Sequence, residues 1–147
     1  WLPGGYPELH TERIAANTGM KASLMAHVLQ RKPLWAECGG MMALFDTLEL
    51  VGGVRMPLWG LLPGVVTMHK RVAALGPQQL ALARGTLRGH TFHYSRSETP
   101  LTPLTRAKKA DGSDGEAIYR QDRLTASYVH FYFPSNPAAV AGLFKNT

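Results

Sequence analysis

The first third of the chain alternates between helical and extended patterns of apolar residues. From Asn17 the apolar positions recur at the spacing of an amphipathic helix, and Lys32-Pro33 ends the pattern. The positions concerned are Met20, Leu24, Met25, Val28 and Leu29. We expect this helix to cover a sheet with its apolar side.

A short apolar run, Leu34–Glu37, predicts a strand directly after that helix. Glycines follow it, and the next apolar residues return to helical spacing, which predicts a second helix. Those residues are Met41, Leu44, Phe45 and Leu48. The turn at Cys38 is therefore predicted to join a strand to a helix.

The second half of the chain reads mostly as strands. Short apolar runs over 60–68, 91–94 and 127–133 are separated by Gly, Pro and polar turns. Residues 111–115, with the sequence Asp-Gly-Ser-Asp-Gly, predict the tip of a hairpin, and 96–116 is the segment expected to be most mobile. Helix and strand thus alternate first and strands dominate later. This order predicts an α/β fold, with a mixed sheet flanked by helices, in one unit over 1–147.

Composition narrows the class of protein. The chain has 147 residues, of which 45% are hydrophobic and 18% charged, enough for one core. Neither a membrane-spanning run nor a signal peptide is visible, so a cytoplasmic protein without a membrane partner is expected. The net charge of +6 comes from short scattered groups, which favours a solvated basic face over nucleic-acid binding and leaves attraction of an acidic small substrate open.

The N-terminus begins inside an element. Trp1-Leu2 leads straight into Pro3-Gly4-Gly5 without an initiator Met, as if a strand had been cut. We expect a fragment of a longer protein with an uncovered edge or face. Self-association as a homodimer, or loss of order near Trp1 and in 96–116, would follow from such exposure.

The single cysteine carries the candidate chemistry. Cys38 lies at the predicted strand-to-helix turn and is followed by Gly39 and Gly40, an arrangement that presents a nucleophile beside free backbone N–H groups. A helix N-terminus is expected to lower the thiol pKa, and the Gly39 amide is the natural first donor to an oxyanion. A second donor is expected from the Gly4-Gly5 turn. The alternative is a buried cysteine that acts as a small hydrophobic residue. One cysteine offers no cluster for zinc, and no metal site is expected.

A cysteine nucleophile needs a base, and six histidines are available. His10 and His27 lie in helical stretches, and His69 has the cationic neighbours Lys70 and Arg71. His130 differs because it lies in an apolar strand that has no other titratable acid or base. A structural role for His130 is the alternative.

Five motifs, in this order, resemble the C-terminal class I glutamine amidotransferase domain of cobyrinic acid a,c-diamide synthases. They cover nearly the whole chain, and their common order makes the resemblance specific. The motifs are residues 2–8 (LPGGYPE), 36–42 (AECGGMM), 60–64 (GLLPG), 88–95 (RGHTFHYS) and 127–130 (SYVH).

The resemblance implies an ATP-dependent ligase of cobalamin biosynthesis that amidates the a- and c-acetate groups of a corrin with ammonia from glutamine. This chain would be its ammonia-producing, flavodoxin-like half, with glutamine as its own substrate. ATP, Mg²⁺ and the corrinoid would bind the N-terminal synthetase domain, which is absent here, and no cofactor is expected in this chain. The sequence contains no G-x-x-x-x-G-K-[ST] loop.

The resemblance also implies roles for individual residues. Cys38 would be the nucleophile, His130 its base, and Gly5 and Gly39 the oxyanion donors. The segment His93-Tyr94-Ser95 would lie beside the bound glutamine. His130 is followed by Phe131-Tyr132 and not by the Pro-Glu of many class I enzymes, so the resemblance implies a Cys-His dyad. A Gln often found four residues after the nucleophile is Met42 here, which implies that glutamine is bound largely by backbone groups.

Several relatives share these motifs. Cobyric acid synthases have a similar domain but a Pro-Gly-Ser opening loop, whereas this chain has Pro3-Gly4-Gly5. Nickel-sirohydrochlorin a,c-diamide synthases share the motifs, and cobyrinic and hydrogenobyrinic acid are not distinguished as substrates. A non-catalytic binding module with the same fold is the alternative from another functional class.

Overall fold

The computed structural model describes residues 1–145, which form two mixed β-sheets with short helices around them. The strands are β1 (Leu34–Glu37), β2 (Phe45–Glu49), β3 (Arg55–Pro57), β4 (Leu62–Met68), β5 (Ala74–Leu82), β6 (Gly85–His93), β7 (Ser95–Glu98), β8 (Thr105–Lys109), β9 (Asp114–Gln121), β10 (Leu124–Ser127) and β11 (His130–Phe131). The α-helices are α1 (Thr11–Ala16), α2 (Thr18–Leu29), α3 (Gly39–Met42) and α4 (Pro137–Leu143), and 3₁₀ turns cover Pro7–Leu9 and Phe133–Ser135. The mixed sheet and the flanking helices confirm the α/β fold class.

The larger sheet has seven strands in the order β1-β10-β9-β8-β5-β6-β11. Only β1 and β10 are parallel within it, and the remaining pairs are antiparallel. The sheet curls, because its two terminal strands approach each other at their ends. The Trp35 and Phe131 rings lie 5.4 Å apart, and the Glu37 carboxylate accepts a hydrogen bond from the Phe131 N–H. The curl brings the end of β1 next to β11, although the two strands lie more than 90 positions apart in the sequence.

The smaller sheet has the order β3-β2-β4-β7, with β2 and β4 parallel. Its inner residues form a core with β1 and α3, and completely buried members include Leu44, Phe45, Leu48 and Leu62. A second cluster lies between the larger sheet and α4 and contains Leu80, Leu87, Ile118 and Val129. The strand β1 contributes to both clusters, and the elbow that follows it is therefore firmly anchored.

Two sequence predictions about helices require correction. The helix predicted after Asn17 is present, but none of its residues is buried, and Met25 and Leu29 are exposed by 44% and 80%. Leu24 and Val28 only border the core. The helix predicted from Met41 to Leu48 ends at Met42, because Phe45 begins β2 and pairs with β4. Its apolar residues at 45 and 48 face the core from a strand.

Residues 96–116 are organised largely as strands. They contain most of β7, all of β8 and the start of β9, and β8 and β9 pair as the predicted hairpin around Gly112. At the N-terminus, Leu2 forms a parallel bridge with Ala36 on the free edge of β1. No helix in the described part of the chain is long and apolar enough to cross a bilayer.

Candidate active site

Cys38 occupies a strained turn between β1 and α3. Its backbone angles are φ 44° and ψ −112°, in a region that residues with a side chain rarely adopt. The Cys38 N–H donates to the Ser127 carbonyl at 2.8 Å, which continues the pairing of β1 with β10. The predicted strand-to-helix elbow is therefore present, with a non-glycine residue in a conformation that suits glycine.

The glycines after Cys38 allow the elbow to contact the N-terminal loop directly. A Cβ on Gly39 would lie 2.2 Å from the carbonyl oxygen of Gly5 and 2.7 Å from its nitrogen. A Cβ on Gly40 would lie 2.5 Å from the carbonyl oxygens of both Leu2 and Pro3. Only glycine fits at either position without displacing backbone. The structure thus brings Gly5 and Gly39 together.

A cavity of about 500 Å³ opens over the elbow. Its lining comes from the N-terminal loop, the elbow, β6 with the residues that follow it, and β11. The lining residues include Gly5, Glu8, Glu37, Cys38, Met42, His90, His93, Tyr94, Ser95 and His130. A space of this size and mixed polarity is typical of a small-molecule site.

His130 reaches the cavity from β11 and is half-buried. Its ring stacks on that of His90, with centroids 5.2 Å apart, and a Cβ on Gly4 would lie 2.2 Å from its Cε1 atom. Burial lowers the pKa of His130, and nearby His90 and His93 lower it further. A neutral imidazole is the form that accepts a proton, so this environment suits a base.

Burial is also the largest influence on the pKa of the Cys38 thiol. Cys38 is 6% exposed, and desolvation raises its pKa to about 11, although the Gly39 N–H opposes this change. Glu8, Glu116 and Glu37 raise the pKa further through their negative charges. The expectation of a lowered thiol pKa is wrong: the Gly39 N–H at the start of α3 does lower the pKa, but burial of the thiol raises it by more.

His93 is held from both sides. A carbonyl oxygen only accepts, so His93 Nδ1 donates to the Ser95 carbonyl at 2.8 Å, while Nε2 lies 2.9 Å from Glu116 Oε1. Thr91 also donates to Glu116 Oε1 at 3.2 Å. The His93 ring stacks on Tyr128 with centroids 3.8 Å apart. Neither ring nitrogen of His93 is free to contact a ligand in this arrangement.

The two residues that follow His93, Tyr94 and Ser95, differ in their exposure to the cavity. Ser95 is completely buried, and its hydroxyl donates to Tyr128 Oη at 3.0 Å and lies 3.5 Å from Met42 Sδ. Tyr94 is 40% exposed and lines the cavity. Burial raises the pKa of Tyr128, so its phenol keeps its proton. Ser95 therefore links Tyr128 and Met42 in one buried cluster at the side of the cavity.

Two carboxylates in the cavity were given no role from the sequence. Glu8 follows the Gly4-Gly5 turn and has a raised pKa because it is partly desolvated. Glu37 directly precedes Cys38, is 2% exposed, and also has a raised pKa through burial. Both lie inside the motifs that carry the resemblance, and that is the signal that could have identified them; Glu37 in addition directly precedes the cysteine. The partner of His93, Glu116, had no sequence signal because it lies 23 positions away on β9.

The structure therefore places most of the predicted site residues around one cavity. Cys38, His130, Gly5, His93, Tyr94 and Ser95 all line it, and Gly39 lies directly beneath Gly5. Their catalytic and binding roles stay predictions.

Comparisons with known proteins show the family and the fold of the chain. Residues 1–138 match the sequence profile of the CobB/CobQ-like glutamine amidotransferase domain. A crystal structure described as a glutamine amidotransferase superposes with a TM-score of 0.63 over 96% of this chain and 74% of that one. Its sequence identity is 21%, so it supports the fold.

Curated relatives are considerably more similar. The chain is 51% identical over 144 residues to a hydrogenobyrinate a,c-diamide synthase of Pseudomonas aeruginosa. It is 46% identical over 146 residues to a cobyrinate a,c-diamide synthase of Herminiimonas arsenicoxydans. These alignments cover 97% and 99% of the chain but only 33% of either relative. The chain therefore spans about a third of the length of these relatives.

Proposed function

Since the chain belongs to the CobB/CobQ-like glutamine amidotransferase domain family, we propose that it releases ammonia from glutamine with Cys38 as nucleophile and His130 as base. The observation that carries the proposal is the cavity in which the strained cysteine, the two apposed glycine backbones and a histidine of lowered pKa meet.

The proposed reaction begins with proton transfer from the Cys38 thiol to His130. The thiol pKa of about 11 makes such a base necessary at neutral pH. The sulfur then attacks the side-chain amide carbon of glutamine, and the Gly5 and Gly39 N–H groups stabilise the oxyanion. His130 returns the proton to the leaving nitrogen, so ammonia departs and a glutamyl thioester remains. Water, activated by His130, hydrolyses the thioester to glutamate.

The ammonia would serve a second reaction on the rest of a longer protein. The relatives' names support amidation of the a- and c-carboxylates of a corrinoid, cobyrinate or hydrogenobyrinate. We propose that ATP and Mg²⁺ act in a separate synthetase domain of such a longer protein. Among residues 1–145 no group of three His, Cys, Asp or Glu side chains could hold a metal ion.

Labelling of Cys38 by a glutamine-analogue electrophile tests the glutaminase proposal. We expect rapid labelling of the native chain, none of Cys38→Ala, and labelling slowed about 10²- to 10⁴-fold in His130→Asn. His69→Asn is the matched control, because His69 is exposed and lies outside the cavity lining.

Equal labelling of His130→Asn and native protein would contradict the dyad. A folded native chain that is not labelled at all would favour a non-catalytic binding module. Assaying the longer protein with glutamine, ATP and both corrinoids, cobyrinate and hydrogenobyrinate, would identify the acceptor.

A further inference from the structure

The Glu37 carboxylate is the most completely buried acid in the cavity and has no part in the chemistry described above. It is 2% exposed and directly precedes the nucleophile. Burying a carboxylate is costly unless it gains specific partners. The partners of the buried Glu37 carboxylate therefore indicate what it does beside Cys38.

Glu37 bonds to the strand that carries His130. Its Oε1 atom accepts from the Trp35 Nε1–H at 2.8 Å and from the Phe131 N–H at 3.3 Å. Phe131 immediately follows His130, 94 positions away from Glu37 in the sequence. The Trp1 side chain, which also lines the cavity, slightly lowers the pKa of this carboxyl group. The group thus joins the end of β1 to β11 across the mouth of the curled sheet.

A second bond fixes the other end of the same segment. The Cys38 N–H donates to the Ser127 carbonyl at 2.8 Å, and the Ser127 hydroxyl accepts from the Val129 N–H at 3.2 Å. The backbone over 127–131 is therefore bonded at both ends to two adjacent residues, Glu37 and Cys38. The nucleophile and the segment carrying the histidine are parts of one hydrogen-bonded unit.

No residue within 1–145 hydrogen-bonds to the His130 ring itself. The ring is restrained by stacking on His90 and by the close approach of Gly4. Its position also depends on the β11 backbone, which pairs with β6 on one side and is bonded to Glu37 on the other.

We propose that Glu37 is a positioning residue that sets His130 over Cys38 by accepting the Phe131 N–H; this role rests on the proposed glutaminase function. It requires an acceptor oxygen at the reach of a glutamate side chain and not a negative charge. The charge itself opposes formation of the thiolate, because Glu37 is one of the groups that raise the pKa of Cys38. Reach and charge can therefore be separated by substitution.

The experiment compares Glu37→Gln, which keeps the reach and removes the charge, with Glu37→Asp, which keeps the charge and shortens the side chain. Circular dichroism first establishes which variants fold. The limiting rate and half-saturating concentration for Cys38 labelling by a glutamine-analogue electrophile are then measured. We expect Glu37→Gln to label within about threefold of the native rate. Glu37→Asp should lose about 10²-fold in limiting rate, as for an ångström-scale misplacement, with little change in half-saturation.

NMR of the His130 imidazole gives a readout that does not depend on catalysis. Its pKa is lowered in the native chain by burial and by His90 and His93, and we expect Glu37→Gln to retain this value. In Glu37→Asp a loosened β11 should let the pKa rise toward the ordinary value. If native labelling does not depend on His130, the glutaminase proposal fails, and the NMR comparison alone decides whether Glu37 holds His130.

Loss of activity in Glu37→Gln would overturn the inference, whether or not Glu37→Asp retains activity, because charge or another property would then be required. Native behaviour of both variants would overturn it too. If Glu37→Asp does not fold, Glu37→Ala takes its place: a native labelling rate in Glu37→Ala overturns the inference, and a loss of about 10²-fold there with a native rate in Glu37→Gln supports it.

Discussion

At the scale of single residues, Cys38 combines backbone strain with a strongly disfavoured charge. A side chain at φ 44° and ψ −112° costs about 1–3 kcal/mol, and the surrounding structure must hold it there. The thiol is also kept neutral by burial, with a pKa of about 11. At neutral pH the thiol should therefore react slowly with general electrophiles, and the proposed role of Cys38 as nucleophile needs a neighbouring base. His130 fits this need because its lowered pKa keeps the imidazole neutral at pH 7 and so able to accept a proton.

The pH dependence of alkylation tests this description of the thiol. Iodoacetamide should modify Cys38 of the folded chain with a rate that rises about tenfold per pH unit from 7 to 10, without a plateau, since the pKa is about 11. In denaturant the same rate should level off near the ordinary thiol pKa of about 8.5. Mass spectrometry of timed samples gives both profiles.

The same shift has a consequence for stability. The folded chain keeps the thiol proton to higher pH than the unfolded chain, so stability falls as pH rises between about 8.5 and 11. If the alkylation rate of the folded chain levelled off below pH 8.5, burial would not be the dominant influence on the thiol pKa.

At the scale of elements, the elbow and the N-terminal loop fit together through backbone alone. Gly39 rests on Gly5, and Gly40 rests on the carbonyl oxygens of Leu2 and Pro3. Backbone hydrogen bonds to β1 hold the loop in turn: the Leu2 N–H donates to the Trp35 carbonyl, and the Leu2 carbonyl accepts from the Glu37 N–H. The proposed oxyanion donors therefore belong to two segments whose spacing is set by the absence of side chains.

Substituting Gly39 by alanine should separate these segments. The new Cβ would lie 2.2 Å from the Gly5 carbonyl oxygen, so the backbone must move by about an ångström. We expect a loss of about 10²-fold in the rate of Cys38 labelling and about 1–3 kcal/mol of stability. Gly19→Ala is the control: its Cβ meets nothing closer than 3.9 Å, and its exposed helical position should gain about 0.5–1 kcal/mol. Equal behaviour of the two variants in thermal melts and labelling would show that the contact is not important.

Local pattern was sufficient to predict the elbow but not the surrounding sheets. The strand before Cys38 and the two glycines after it are contiguous, so their geometry follows from neighbouring residues. The spacing of Met41, Leu44, Phe45 and Leu48 suits either a helix or a strand that is irregularly paired. Pairing of β2 with β4, which decides between them, depends on residues some distance along the chain. The contact of Glu37 with Phe131 is equally non-local, and no local pattern indicates it.

At the scale of the whole molecule, the chain corresponds to about a third of its diamide synthase relatives and leaves an apolar helix face uncovered. Met25 and Leu29 lie one turn apart on α2 and are 44% and 80% exposed. Such a face favours association with another surface.

Self-association of this chain is the expected result, and it should depend on α2. Light scattering should give a mass that rises with protein concentration for the native chain. The double variant Met25→Lys/Leu29→Lys should remain near the monomer mass because the charges must stay solvated. Ser23→Lys/Gln30→Lys adds the same charge at exposed polar positions of α2 or its end and should behave like the native chain. A native chain that stays monomeric at all concentrations would exclude this helix as an association surface.

The parallel pairing of β1 with β10 determines how late the site can form during synthesis and folding of the chain. Residues 34–37 cannot pair until residues 124–127 are available, and a contact of such sequence separation forms slowly because a long loop must close first. During synthesis the cysteine leaves the ribosome long before the histidine that we propose as its partner. Until the last strands arrive, Cys38 lacks both that histidine and the Ser127 carbonyl that holds its backbone. The glutamine hydrolysis that we propose is therefore expected only after residues 124–131 have been made and have paired with the rest of the sheet.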